Sequence, residues 1–315
     1  MKPTRLSIAQ IMCRYLPPIL AQTVRNWVYP QALAFSDDYT YIVSSQTGSS
    51  FTSSTGDFHG HVFAVHGYLN WRAWTIAGVI CNPGDTILEV GANIGTETVG
   101  FADIVGCRGH VFAFEPLPSN IEASTKSLKL RTCPNVTLMP IALSDRNENI
   151  AFRVPESQYS SGTGRILSNN ATPQIDIILV ECRSLDSLQE SILPASFVFM
   201  DVEGAEYSVL KGGQTYFQTH KPAMIVEASA KHLKHFDLTL RNLYDYLGEL
   251  GYVIFDITRF GLAPVRPEDF STSTSDWLCI QEAQVAEMVP KIKRALLLSA
   301  FMPCIPGLNP ISRKG

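Results

Sequence analysis

The chain has 315 residues, 45% of them apolar, which is enough for one large core or two modest ones. Its 25 basic and 29 acidic side chains leave a net charge of −4, and no run of like charge offers an arm for nucleic acid. The seven cysteines (Cys13, Cys81, Cys107, Cys133, Cys182, Cys279, Cys304) are scattered and never spaced Cys-x-x-Cys. That argues against a zinc ribbon and a disulfide framework, and small buried thiols in a reducing cytosol are the simpler reading.

In chain order, Leu6, Ile8, Ile11, Met12, Leu16 and Leu20 predict helical structure within residues 1–35. It is expected to pack on the body or on a second subunit as a homodimer contact, with weak membrane contact as the alternative. Arg14 and Pro17-Pro18 interrupt the apolar stretch too early for a secretion signal. No run reaches the ~18 apolar residues of a spanning helix, so a soluble, cytoplasmic protein is expected. Residues 36–60 are rich in Ser, Thr and Gly, and Tyr39, Tyr41 and Val43 alternate as in a strand. They predict a small hairpin or a mobile lid. Residues 66–80 predict a helix, with Trp71 and Trp74 as core filling, running into the turn Asn82-Pro83-Gly84-Asp85.

From residue 86 short apolar runs recur at 86–90, 109–115, 136–143, 197–201, 223–227 and 252–255. Helical stretches at 93–106, 117–131, 205–218 and 238–250 separate several of them. Runs this apolar fit strands buried on both faces, so the expected fold is α/β, a doubly wound, mostly parallel sheet under helices. Residues 157–174 are polar and too long for an ordinary connection, as functional or disordered loops are. The tail from about 283 predicts a helix that docks on the body or a partner, with Lys291, Lys293 and Arg294 before an apolar end.

The chemistry gathers at strand ends. Glu89-Val90-Gly91-Ala92-Asn93-Ile94-Gly95 follows the first buried strand, where glycines permit a sharp turn and a close ligand. Glu115 ends the second strand, where one carboxylate could hold a ribose diol. Ser144-Asp145 follows the third strand, and Asp201-Val202-Glu203-Gly204 the fourth. Ligands of open α/β sheets sit beyond these carboxyl ends, so the acids should converge on one crevice. A dinucleotide site would want a third glycine, and Glu89 and Glu97 would repel a diphosphate. A ribose, an adenine and a positive end suit these acids better, which describes S-adenosylmethionine. An NAD-dependent oxidoreductase is correspondingly disfavoured.

Residues 85–230 resemble the FkbM-type S-adenosylmethionine-dependent methyltransferases. The matching segments are Gly84 to Gly95, Phe114 to Asn120, Ala142-Leu143-Ser144-Asp145, Ser184-Leu185-Asp186, and Asp201 to Glu206 with Val209-Leu210-Lys211-Gly212. The resemblance implies a seven-stranded Rossmann-like methyltransferase sheet over 66–282, between an N-terminal extension at 1–65 and a helical tail at 283–315. It implies that Glu89, Gly91, Asn93 and Gly95 line the methionine end of the cofactor. Glu115 would hold the ribose with Asn120 nearby, and Ser144 and Asp145 would face the adenine. The family commonly has Asp where this chain has Glu89, and Lys where it has Phe199. The implied reaction is O-methylation of a hydroxyl on a sugar, glycan or small natural product. N-methylation of a small amine and a non-catalytic cofactor-binding scaffold are the alternatives. Candidate bases, in order, are Asp201, Glu203 and Glu227. His232 and His235 share a helix face and read first as surface or packing groups. A divalent cation on Asp201, Glu227 and a His is the less favoured device. Substrate selection is expected from residues 36–60 and 157–174.

Overall fold

The computed structural model describes residues 2–155, 161–167, 176–270 and 273–312. A hairpin of Thr40–Ser44 (β1) and Ser50–Ser54 (β2) precedes the main layer, which begins with Thr86–Val90 (β3), His110–Phe114 (β4) and Val136–Met139 (β5). Ala142–Leu143 (β6), Glu148–Arg153 (β7), Arg165–Ile166 (β8) and Ile177–Arg183 (β9) then form a small separate sheet. The main sheet is completed by Phe197–Met200 (β10), Ala223–Ala228 (β11), Tyr252–Ile257 (β12), Leu262–Pro264 (β13) and Ser275–Gln281 (β14). Its order is β13-β12-β14-β11-β10-β3-β4-β5.

The pairings from β11 through β10, β3 and β4 to β5 are parallel, and β14 lies antiparallel between β11 and β12. The expected doubly wound, mostly parallel α/β sheet is therefore present. It has eight strands where seven were expected, the extra one being the short β13 hairpinned onto β12. Alternation along each strand divides the core. Ile87, Val111, Phe197 and Ile225 face one layer, with Trp71, Trp74, Phe101 and Ile292. Leu88, Phe112, Val198 and Met224 face the other, with Val209, Phe217 and Leu243. Burial of both faces is why these runs are continuously apolar. Trp71 and Trp74 are core filling, each 1% exposed.

Prolines and caps set boundaries that hydrophobic period alone blurred. The N-terminal helical stretch is three helices, Thr4–Cys13, Pro18–Val28 and Gln31–Asp37, separated at Pro17-Pro18 and Pro30. The helix expected at 66–80 is Trp71–Ile80, and an unexpected helix, Phe58–His66, precedes it. Asp57 and Asn70 cap them, and Gly67 turns between them in the left-handed region. The stretch 205–218 breaks at Gly212-Gly213 into Glu206–Gly212 and Gln214–His220. Residues 36–60 do contain the hairpin, and it is anchored rather than loose. Asp103, bridged to Arg131 at 2.7 Å, accepts hydrogen bonds from Thr47 and Ser49. Of the loop at 157–174, residues 161–167 carry a helical turn and β8, while 157–160 and 168–174 lie outside the described residues.

The terminal additions pack on the body. Thr75 donates to Ser299 of the helix Glu282–Phe301, and Ser312 donates to Gln46. Ile11, Trp27, Leu297 and Phe301 remain exposed on these helices. One cysteine expectation is corrected. Cys107 and Cys133 form a disulfide with Cα atoms 5.6 Å apart, because the loops leading into β4 and β5 run side by side. The five other cysteines are buried. No helix of the described residues is long and apolar enough to cross a membrane.

Candidate active site

The parallel register aligns the acids that the sequence places at strand ends. Val90, Phe114, Met200 and Val226 are level across β3, β4, β10 and β11. One residue further on, Gly91, Glu115, Asp201 and Glu227 therefore form a row along the carboxyl edge. Asp276 on β14 pairs with Glu227 and extends that row. Sequence reasoning missed Asp276 because it closes a polar run of Ser and Thr at 271–275 and β14 was not expected as a strand.

Two connected cavities open above this row. The first is narrow, leaving about 60 Å³ of free space. Phe114, Ile141, Leu143, Phe152 and Ile166 give it apolar walls, and Glu115 and Asn120 supply polar ones. The second is lined by Glu89, Glu97, Asp201, Glu203 and Glu227, with His59, Asn70 and Phe199. Gly91, Asn93, Gly162, Asp201 and Glu203 border both.

Local backbone explains how the chain builds the junction. A Cβ on Gly91 would lie 2.0 Å from the Asp201 carbonyl oxygen, so only glycine lets the β3 loop pass the end of β10. Asn93 and Glu203 both adopt positive φ, 48° and 55°, an uncommon conformation for residues with a side chain. The Glu115 carboxylate supports the loop, Oε2 accepting the Asn93 N–H and Oε1 the Leu117 N–H, both at 2.8 Å. Each oxygen keeps a second lone pair for a ligand hydroxyl. Glu206 accepts the Val202 and Gly204 N–H groups and so shapes the Asp201–Glu206 turn from below. Overhead, residues 161–164 are held by a Ser161 N–H to Asp57 bond of 3.0 Å and a 3.4 Å Asn120–Ser161 bond.

The electrostatics are lopsided. Burial, and then neighbouring Glu97 and Glu115, push Glu89 well above the usual carboxylate range. Burial raises Glu97 to about 8, with the Asn70 N–H and the Trp74 indole pulling the other way. Glu115 is raised by burial to about 7. Surrounding protein that thins its water, then Asp276, Glu203 and Glu206, pushes Asp201 well up, although its side chain opens onto the cavities. Loss of water also raises Glu203 to about 7 and, reinforced by Asp201, Glu227 to about 10. Each of these acids holds its proton more tightly than an ordinary carboxyl.

The remaining expected residues lie further out. Gly95 borders neither cavity and caps the helix Thr96–Val105. Ser144 and Asp145 open onto an adjacent depression with Tyr207 and Lys211. The Ser144 N–H bonds the Arg183 carbonyl as β6 pairs with β9, so Ile141, Ala142 and Leu143 form the cavity wall instead. His232 contacts Glu203 and Glu227 behind the second cavity, whereas His235 belongs to neither cavity lining. Sequence reasoning used Glu97 only to argue against a diphosphate and assigned no site role to His59 or Asn70. The caps Asp57 and Asn70 were the available signal, since each fixes where a helix points its first turn.

Residues 89–254 match the model of the methyltransferase FkbM domain. No curated protein matches the chain. Among solved structures, the fold is similar to methyltransferase FkbM from Methylobacillus flagellatus KT at 14% identity and a TM-score of 0.43. That alignment covers 87% of this chain and 58% of the other, so this chain spans little more than half of that relative's length. A SAM-dependent O-methyltransferase from Thermotoga maritima aligns at 12% identity, 76% and 77% coverage and TM-score 0.39. A protein from Streptococcus mutans in complex with SAH aligns at 8% identity, 66% and 94% coverage and TM-score 0.39.

Proposed function

Because this chain belongs to the FkbM methyltransferase family, we propose that it moves the methyl group of S-adenosylmethionine onto a hydroxyl oxygen of a sugar, glycan or small natural product. The observation that carries this reading is the meeting of an apolar, Glu115-gated cavity with an acid-lined one at Gly91, Asn93, Asp201 and Glu203. The donor set fits the cofactor. Glu115 and Asn120 would hold the ribose, and the walls of Ile141, Leu143, Phe152 and Ile166 would take the adenine. Gly91 and Asn93 would follow the chain toward the methionine end, where Glu89 offers a carboxyl oxygen. Ser144 and Asp145 would serve by shaping the β6 wall from its far side. When bound, S-adenosylmethionine supplies a methyl carbon made electrophilic by its sulfonium.

The residues of the chain do the rest. Asp201 stands at the shared border of the two cavities, where it would take the proton of the acceptor hydroxyl, the sulfur–methyl bond breaking to leave S-adenosylhomocysteine. Asp201 must be ionised to act as a base, and a cationic neighbour would bring its raised proton affinity down toward that state. Glu203 and Glu227 flank it and orient the acceptor. The turn at 161–164 and the apolar walls restrict water, so positioning the oxygen in line with the methyl carbon contributes much of the rate. Substrate choice falls to the second cavity, with Phe58, His59, Gly162 and Thr163 at its edge. Calorimetry with SAH and with NAD tests the cofactor. SAH binding with NAD ignored supports the reading, and NAD binding without SAH overturns it. Mass spectrometry of a hydroxylated acceptor incubated with the cofactor reads the O-methyl product.

A further inference from the structure

We propose that Glu203, Glu227 and His232 form a divalent-cation site at the acceptor end of the second cavity. The use made of the ion rests on the methyl-transfer reading above, but the site itself does not. His232 Nδ1 lies 3.0 Å from Glu203 Oε2 and 3.0 Å from Glu227 Oε2. The three ligand atoms fall within 4.8 Å of one another. Ligands ~2.1 Å from an octahedral ion stand ~3.0 Å apart when adjacent, so both contacts have the spacing of neighbouring ligands. A proton satisfies this arrangement less well. Nδ1 carries at most one hydrogen, which two carboxylates would have to share in a weaker three-centre bond, whereas a cation has no direction.

The surroundings are built for the site. Glu227 is the penultimate residue of β11, Ser229 caps the next turn by accepting the His232 N–H, and that turn returns the imidazole toward Glu227. A Cβ on Gly204 would come within 2.5 Å of the His232 carbonyl oxygen, so glycine lets the loop carrying Glu203 close on the same turn. A second observation also points to a cation. Glu89 is 1% and Glu97 5% exposed, and each has an Oε2 with no hydrogen-bond partner among the described residues. Both line the cavity that Glu203 and Glu227 line. The five carboxyl groups gathered on this cavity are oxygen donors that a nearby cation would help to ionise.

Two carboxylates and one imidazole suit a hard or borderline ion such as Mn²⁺ or Mg²⁺, with its other positions open to water and the acceptor oxygen. There the ion would lower the hydroxyl's proton affinity, and the proton would pass to Asp201, which stays off the metal. The test is titration of the full-length protein with MnCl₂, followed by the EPR signal of free Mn²⁺ and by calorimetry. One site per chain is expected, with affinity at least tenfold weaker in Glu227→Gln and His232→Ala. Glu227→Asp should bind in between. SAH binding, measured on the same samples, reports whether each variant is folded. A wild-type protein that leaves Mn²⁺ free at millimolar concentration overturns the proposal, as do folded variants that bind it unchanged. Mn²⁺ binding without SAH binding would instead overturn the methyl-transfer reading and leave the site standing.

Discussion

Replacing Glu97 with Gln should stabilise the protein, and by more at high pH than at low. Glu97 is 5% exposed, its Oε1 accepts the Asn70 N–H at 3.0 Å, and its Oε2 lacks a partner among the described residues. Burial raises its proton affinity from 4.5 to about 8. The unfolded chain ionises it near 4.5, so the folded state loses stability as pH rises from there and stops losing it above about 8. At ~1.4 kcal/mol per pH unit the penalty is about 2 kcal/mol at pH 6 and about 5 kcal/mol by pH 9. Gln keeps the acceptor for Asn70 and cannot ionise. Its advantage should therefore widen by about 3 kcal/mol between the two pH values, or roughly 6 °C in Tm at ~2 °C per kcal/mol. Urea unfolding and circular-dichroism melts at pH 6 and pH 9, without ligand, measure it. Wild-type and variant curves that stay parallel across that range would refute the reasoning.

Other sites give independent checks. Glu115→Ala should weaken SAH binding at least tenfold in calorimetry, because the Asn93 and Leu117 N–H groups lose their acceptor. With Glu115 titrating at about 7, wild-type SAH affinity should fall about tenfold between pH 8 and pH 6 as the ionised fraction drops. Asp201→Asn should lower kcat by ~10²–10⁴ while the SAH Kd stays within a few fold, as single-turnover and binding measurements would show. Asp103→Ala should cost ~3–5 kcal/mol in urea unfolding, since it leaves the 4% exposed Arg131 side chain without its ion pair. Glu122→Ala, which breaks an exposed pair with Lys126, should leave the same measurement within about 0.5 kcal/mol.

The parallel half of the fold was legible because its signals are local. β3, β10 and β11 are buried along their whole lengths, so their residues read as apolar runs without knowledge of their partners. β7, β9 and β14 do not read that way. β9 follows the burial pattern of a strand with one wet face, and the polar residues on that face hide it. β14 runs into Glu282 and the long helix without a turn signal, so its membership in the sheet is decided by pairing with β11 and β12. The Cys107–Cys133 contact has the same origin, since it depends on two loops being neighbours and on nothing in the spacing of 26 residues.

The site divides along the same line. Glu115, Asp201 and Glu227 were found because parallel register turns "one residue past a strand" into "one row along an edge", a rule that needs no coordinates. Ser144 and Asp145 obeyed the same pattern in the sequence and failed it in space. Pro140 ends β5 early, and β6 leaves for the small sheet, so the residues after it no longer stand on the main edge. Glu97 shows the converse. It sits in the first turn of a helix, where an acid ordinarily reads as a favourable partner of the helix dipole. Only the packing of Trp74 and the Asn70 turn above it makes it a buried carboxyl facing the second cavity. A capping acid at the surface would contribute a few tenths of a kcal/mol. This one costs several when ionised, and burial therefore holds its proton in place up to about pH 8.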